Sequence, residues 1–203
     1  GLKVYAPILY QYMGTPESEA GLRSLVRDIL DKFPDIQGYI LLTEGFWYKR
    51  MGGWGSGDTA REWIRGWNKA VGFVAEECHK RNPAIEILAW DYSIGFTAGN
   101  TNMKRYAIQQ LPADAIPMPT WENGKSFEFE GMHGSLRDYS LNQIGPAETT
   151  DVQIDEARKR GMKVYTKADT FSCWQYGSTP YLPFPYQWYE RYKAISRLNI
   201  RSS

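Results

Sequence analysis

One pattern recurs along this chain and limits the folds open to it. A short apolar run is followed by a long polar and aromatic stretch, then by apolar residues at helical spacing, then by a brief turn into the next apolar run. Val4-Tyr5-Ala6-Pro7-Ile8-Leu9-Tyr10 reads as a first strand. Thr15-Pro16-Glu17 then offers an N-cap, a proline at the first helical position and an acidic first turn. Leu22, Leu25, Val26, Ile29, Leu30 and Phe33 continue that helix up to Pro34. Gly38–Leu42 is a second strand. Asp58-Thr59 opens a second helix, with Glu62 completing a capping box and Trp63, Trp67, Ala70, Val71, Val74 and Cys78 as its apolar stripe; Asn82-Pro83 ends it. Ile85–Trp90 is a third strand, with a short helix about Met103–Leu111 after it. Ala115–Pro119 is a weaker fourth strand, because its two prolines cannot donate to a ladder. A helix starting at Thr150 or Asp151 stops at Gly161, Met162–Tyr165 is a fifth strand, and a last amphipathic helix carries Trp188, Tyr192 and Ile195.

Strands alternating with helices argue for a parallel sheet. The helix-to-strand connections are short, whereas the strands run out into long loops. That asymmetry suits an α/β fold of the (β/α)8 TIM-barrel type, whose working face lies at the C-terminal strand ends. A full barrel takes eight units and about 250 residues. The 203 residues here are therefore read as one incomplete barrel domain of about five to six units, spanning residues 1–203. The missing N-terminal strands are expected on the same full-length chain. A doubly wound open sheet is the alternative. No GxGxxG or GxxxxGK[ST] follows a strand, which counts against its nucleotide-binding version. Gly52-Gly53-Trp54-Gly55 reads as a flexible lid.

A net charge of +1 argues against nucleic acid or an anionic membrane as the partner. No apolar run approaches the roughly 18–20 residues of a membrane span. Cys78 and Cys173 have no metal-ligand spacing and read as buried thiols, with a disulfide between them as the alternative. With only two histidines, His79 and His133, no Ser/His/Asp or Cys/His constellation can be assembled. His79 reads as a helix-end dipole contact and His133 as a loop residue. No cofactor and no metal site are expected. The 8 Trp and 14 Tyr exceed what a core of this size needs, and such residues often line a sugar site.

The strand ends carry the chemistry. Gly38–Leu42 runs into Thr43-Glu44, Ile85–Trp90 into Asp91, the fourth strand into Thr120-Trp121-Glu122, and Met162–Tyr165 through Lys167 to Asp169. In a parallel barrel these ends surround one mouth, where carboxylates repel each other and stability alone would not gather them. Glycoside hydrolysis needs such a pair: one carboxylic acid protonates the leaving oxygen, and another carboxylate attacks or activates water. Phe46 and Trp47 flank Glu44, Trp90 and Tyr92 flank Asp91, and Trp121 precedes Glu122. Aromatic faces stack on sugars and desolvate a neighbouring acid. Each carboxylate also has a structural reading: Glu44 as a helix N-cap or salt-bridge partner, Asp91 as an Asx-turn, Glu122 as part of a Glu-Asn-Gly turn, Asp169 as a structural residue. Glu128 and Glu130 read as solvated faces of a loop hairpin.

The stretch FPDIQGYILLTEG resembles the fourth-strand region of (β/α)8 glycoside hydrolases of the β-hexosaminidase and α-glucuronidase type. DYSLNQIGPAETTDVQIDEARKRGMKVYTKADT and PYLPFPYQWYERYKAI resemble the second half of uncharacterised bacterial proteins of that type. The resemblance implies a polysaccharide-degrading glycosidase with Glu44 as general acid. Hexosaminidases have an aspartate before that acid, where this chain has Thr43. In α-glucuronidases an aspartate and a glutamate of later strands act together as base, a role the resemblance would give Asp91 and Glu122. Lys49, Arg50, Lys125 and Lys167 are then the candidates for holding a uronate carboxylate.

The reading is thus a glycoside hydrolase acting on carbohydrate. Glu44 is the acid and Asp91, Glu122 or both are base or nucleophile. Trp47, Trp54, Trp90, Tyr92, Trp121, Asp169 and Trp174 shape the sugar site, and loops 45–57 and 123–148 act as lids. A secreted or periplasmic setting suits that substrate. Two other classes stay open: a carbohydrate-binding barrel without catalysis, which the missing aspartate before Glu44 favours, and a metal-assisted lyase or isomerase.

Overall fold

Thr15 opens the first helix as its sequence dictates. Its side chain accepts from Ser18 N–H, and the Ser18 hydroxyl meets the Thr15 backbone N–H in return, which closes a capping box ahead of α1 (Pro16–Lys32). In the computed structural model, residues 3–8, 12–46, 48, 57–94, 101–136, 143–168 and 185–202 are described. Among them α1 alternates with β1 (Tyr5–Ile8) and β2 (Gly38–Leu42). Then come α2 (Gly57–Arg81), β3 (Glu86–Trp90), α3 (Thr101–Gln110) and β4 (Ile116–Pro117). A hairpin of β5 (Ser126–Phe129) and β6 (Met132–Ser135) precedes α4 (Glu148–Lys159). β7 (Tyr165–Thr166), α5 (Pro185–Arg197) and β8 (Arg201–Ser202) complete the order.

β1, β2, β3 and β4 form a parallel sheet in chain order. A parallel bridge between Thr120 and Lys167 carries the pattern onward, with Lys167 N–H donating to Pro119 O and Trp121 N–H to Lys167 O, both at 2.9 Å. β7 then pairs in parallel with β8. A doubly wound sheet reverses its strand order at a switch point. No such reversal occurs among the described residues, nor does a ladder join β1 to β8.

The two faces of the sheet differ. Tyr39, Leu41, Ile87 and Ala89 meet Leu22 and Val26 of α1, Trp63, Trp67 and Val71 of α2, and Met103 and Ala107 of α3 in one buried cluster. On the other face Leu88, Ile116, Met118 and Tyr165 pack with Tyr5, Ile40 and Trp90, strand side chain against strand side chain. Tyr5 on β1 and Tyr165 on β7 both donate to the same Glu86 Oε2 on β3, the latter at 2.8 Å. Each stands two places from β3, roughly 10 Å away in a flat sheet, so both rings lean across the neighbouring strand to bring their hydroxyls to one oxygen. Gly38 permits this, because an added Cβ would lie 2.5 Å from Glu86 O and closer still to the Tyr5 ring.

Three local expectations shift. α2 is already helical at Gly57, so Thr59 and Glu62 lie inside it rather than capping it. α4 begins at Glu148, behind Ala147, which offers no side-chain cap. β8 has no counterpart in the sequence reading. The hairpin does expose Glu128 and Glu130, together with Phe127, Phe129 and Met132. Cys78 is a free, buried thiol. No described helix is long and apolar enough to cross a membrane.

Candidate active site

β2 and β3 end in register, Leu42 opposite Trp90. β2 passes into a single 3-10 turn, Thr43–Gly45, closed by Phe46 N–H donating to Thr43 O at 3.1 Å. Thr43 is fully buried, and its Oγ1 accepts from Ser93 N–H at 2.8 Å, which ties the turn after β2 to the turn after β3. Glu44, the next residue, is exposed. The strand thus delivers a solvated carboxylate from a turn that is itself fixed.

Asp91 is placed differently. It is 2% exposed, and Lys104 of α3 donates to its Oδ2 at 2.8 Å and to its backbone oxygen at 3.2 Å. Burial pushes its carboxyl up, against the opposing pull of Lys104. Strand alternation puts Asp91 on the side of Ile87 and Ala89, toward the helices. It fastens α3 to the end of β3 rather than presenting an open carboxylate to substrate.

Glu122 is also sealed, at 0% exposure, but its counter-ion is Arg191 of α5, with Nη1 3.7 Å from Oε2. Burial pulls the Arg191 guanidinium down, and Glu122 acts in the opposite direction. The loop around Glu122 is held from several sides. Thr150 Oγ1 donates to Thr120 O at 2.8 Å, and Trp121 Nε1 to Ile144 O at 3.0 Å. Trp121, expected to shape a sugar site, is wholly buried against Ala168 and Ile195, so it anchors α5 instead.

Trp90, Thr120 and Lys167 come together at the C-terminal ends of β3, β4 and β7. Trp90 Nε1 donates to Thr120 Oγ1 at 2.9 Å, and Lys167 Nζ stands 5.6 Å from the Trp90 ring centre. Tyr92, 9% exposed, tilts against Trp90 at 5.6 Å. Trp47, Trp54, Asp169 and Trp174 lie outside the described residues, as do Lys49 and Arg50. Lys125 is paired with Glu148 at 3.0 Å. His79 joins Asp114 and the Ile85 carbonyl at 3.0 and 2.9 Å, a fastening of α2 to the start of β3. His133 is exposed on β6, 3.7 Å from Glu128. Among the described residues no cluster of three His, Cys, Asp or Glu could hold a metal ion. A recess of about 480 Å³ beside Val4, Tyr5 and Phe33 opens at the opposite end of the sheet.

Lys104 and Arg191 were not among the sequence candidates. A signal was present for both. Lys104 shares a helical stripe with Ile108 and Leu111, and Arg191 lies between Trp188 and Ile195 on another. A cation on an apolar stripe either snorkels to solvent or, where it is buried, pairs with a carboxylate.

No family model matches the chain, and no curated protein does. The resemblance to β-hexosaminidases and α-glucuronidases therefore has no support at that level. Among solved structures, the catalytic domain of a β-amylase from Paenibacillus polymyxa aligns with a TM-score of 0.47 and 10% identity, over 93% of this chain. The chain spans 62% of the length of that domain.

Proposed function

We propose that this chain is the larger part of a glycoside hydrolase catalytic domain, a (β/α)8-type barrel working at the C-terminal ends of its strands. One observation carries the reading: three adjacent parallel strands, β2, β3 and β4, each run into a carboxylate, at Glu44, Asp91 and Glu122. Chain-ordered strands with helices α1–α3 on one face, and strand side chains packed together on the other, support the barrel. Further units beside β1 or β8, on the same full-length chain, would close it.

In this reading Glu44 is the general acid and Glu122 the base or nucleophile, while Asp91 holds the β3 turn through Lys104. Trp90 and Tyr92 offer ring faces to a sugar. The chemistry consumes only water and calls on no cofactor. A carboxyl separation of about 5–5.5 Å would mean retention of configuration, and roughly 6.5–9.5 Å inversion. The burial of Asp91 and Glu122 against cations favours a second reading, a barrel that binds sugar without cleaving it.

A panel of aryl glycosides and glucuronides, offered to the wild type and to Glu44→Gln and Glu122→Gln, decides between them. Cleavage of one substrate, falling on the order of a hundredfold or more in each variant, supports the hydrolase. Sugar binding with no cleavage, equal in all three proteins, supports the binding barrel.

A further inference from the structure

The two buried ion pairs at the strand ends differ in a way that assigns a role to Arg191. Lys104 donates directly to Asp91, to carboxylate and carbonyl alike, and so commits that residue. Arg191 Nη1 stands 3.7 Å from Glu122 Oε2, beyond the roughly 2.7–2.9 Å of a charge-assisted hydrogen bond. It supplies opposite charge without forking onto the carboxylate. Its Nε donates instead to Gln143 O at 2.9 Å, which orients the guanidinium. Ile195, one turn further along α5, packs on Trp121, and Trp121 Nε1 holds Ile144. Helix, β4 end and the 143–144 segment therefore brace one another around this contact.

We infer that Arg191 is a positioning residue that keeps Glu122 ionised inside the protein, and so divides the work between the two carboxylates, the proton being carried by Glu44. This rests on the hydrolase reading for its catalytic consequence. A carboxylate sealed from water is held charged by a compensating cation and by hydrogen bonds, and arginine keeps its charge where lysine readily loses it. Among the described residues, the charged and titratable groups on the elements around this corner include Tyr192 on α5, Lys125 with its partner Glu148, Asp151 on α4, and Lys167 against Trp90. Of these only Arg191 forms an ion pair with Glu122 among the described residues.

The test compares Arg191→Gln and Arg191→Lys with the wild type in the pH profile of kcat/KM on the substrate the panel identifies. Loss of the guanidinium should move the acidic limb upward by about one pH unit or more and lower the plateau roughly tenfold to a hundredfold. Arg191→Lys, whose ammonium gives up its proton more readily at so buried a position, should recover only part of both. Equal losses at every pH, with no movement of the limb, would overturn the inference while the hydrolase reading stands. Thermal midpoints of wild type, Arg191→Gln, Glu122→Gln and the double variant give a second readout that needs no activity. Arg191→Gln should be least stable near pH 8 and recover toward about pH 5, as the stranded carboxylate takes up a proton, and adding Glu122→Gln should abolish that pH dependence. If the wild type cleaves nothing, the hydrolase reading fails and this cycle alone decides. A flat, additive cycle overturns the pairing itself.

Discussion

The ammonium of Lys104 lies 2.8 Å from Asp91 Oδ2, and both side chains are all but sealed from water, at 1% and 2% exposure. Such a pair is costly to break and cheap to replace. Lys104→Met leaves a buried carboxylate without its cation and should cost about 3–5 kcal/mol. The double variant Lys104→Met/Asp91→Asn should recover a good part of it. Urea unfolding of the four proteins measures this. A single-variant loss under about 1 kcal/mol would mean that Lys104 does not fasten Asp91, and would return it beside Glu122 as a candidate base or nucleophile.

Glu86 ties three strands together. Burial pushes its carboxyl up, but the hydroxyls of Tyr5 and Tyr165 and the Lys3 ammonium outweigh that and hold it at about 2. A carboxylate lowered on folding adds stability that is complete above its unfolded value, near 4.3, and disappears as pH falls toward about 2. Glu86→Gln should therefore be less stable than the wild type at neutral pH, and the two melting curves should converge in acid. A gap that stays constant down to about pH 2 would show that charge is not what the tyrosines hold.

Gly38 lies beneath the Tyr5 ring. Gly38→Ala puts a methyl 2.5 Å from Glu86 O, against backbone that cannot move alone. It should cost about 1–3 kcal/mol. The Tyr5 to Glu86 hydrogen bond should loosen with it, so the acid dependence described for Glu86 should shrink in the same variant. An alanine variant as stable as the wild type would mean that the Tyr5 ring does not cross over Gly38 to reach Glu86.

Much of the fold was legible because its signals are local. Thr15-Pro16 marks a helix start whatever packs on it, and the short β-branched run Ile85–Trp90, bounded by Asn82-Pro83, reads as a strand. Parallel pairing followed from the alternation. The start of α4 lies earlier than the sequence suggests because Ala147 carries no capping oxygen, whereas Thr150, the second of a conspicuous threonine pair, does. β8, two residues long, has no periodicity to read. The site was legible as positions and not as environments. That Glu44, Asp91 and Glu122 follow strands is visible in the sequence. That one is solvated and two are sealed depends on Lys104 and Arg191, 13 and 69 residues away from their partners, and no spacing rule links residues so far apart.

Glu44 as the proton donor is the central claim, and leaving-group dependence tests it most directly. Glu44 is exposed, so Glu44→Gln should leave stability within about 0.5 kcal/mol of the wild type. On a substrate of the identified sugar with a poor leaving group, such as an alkyl glycoside, the variant should lose on the order of a hundredfold or more in kcat/KM. With a nitrophenolate, which departs without protonation, the loss should be far smaller. An equal loss on both substrates, or none on either, would contradict the assignment of Glu44 as the acid.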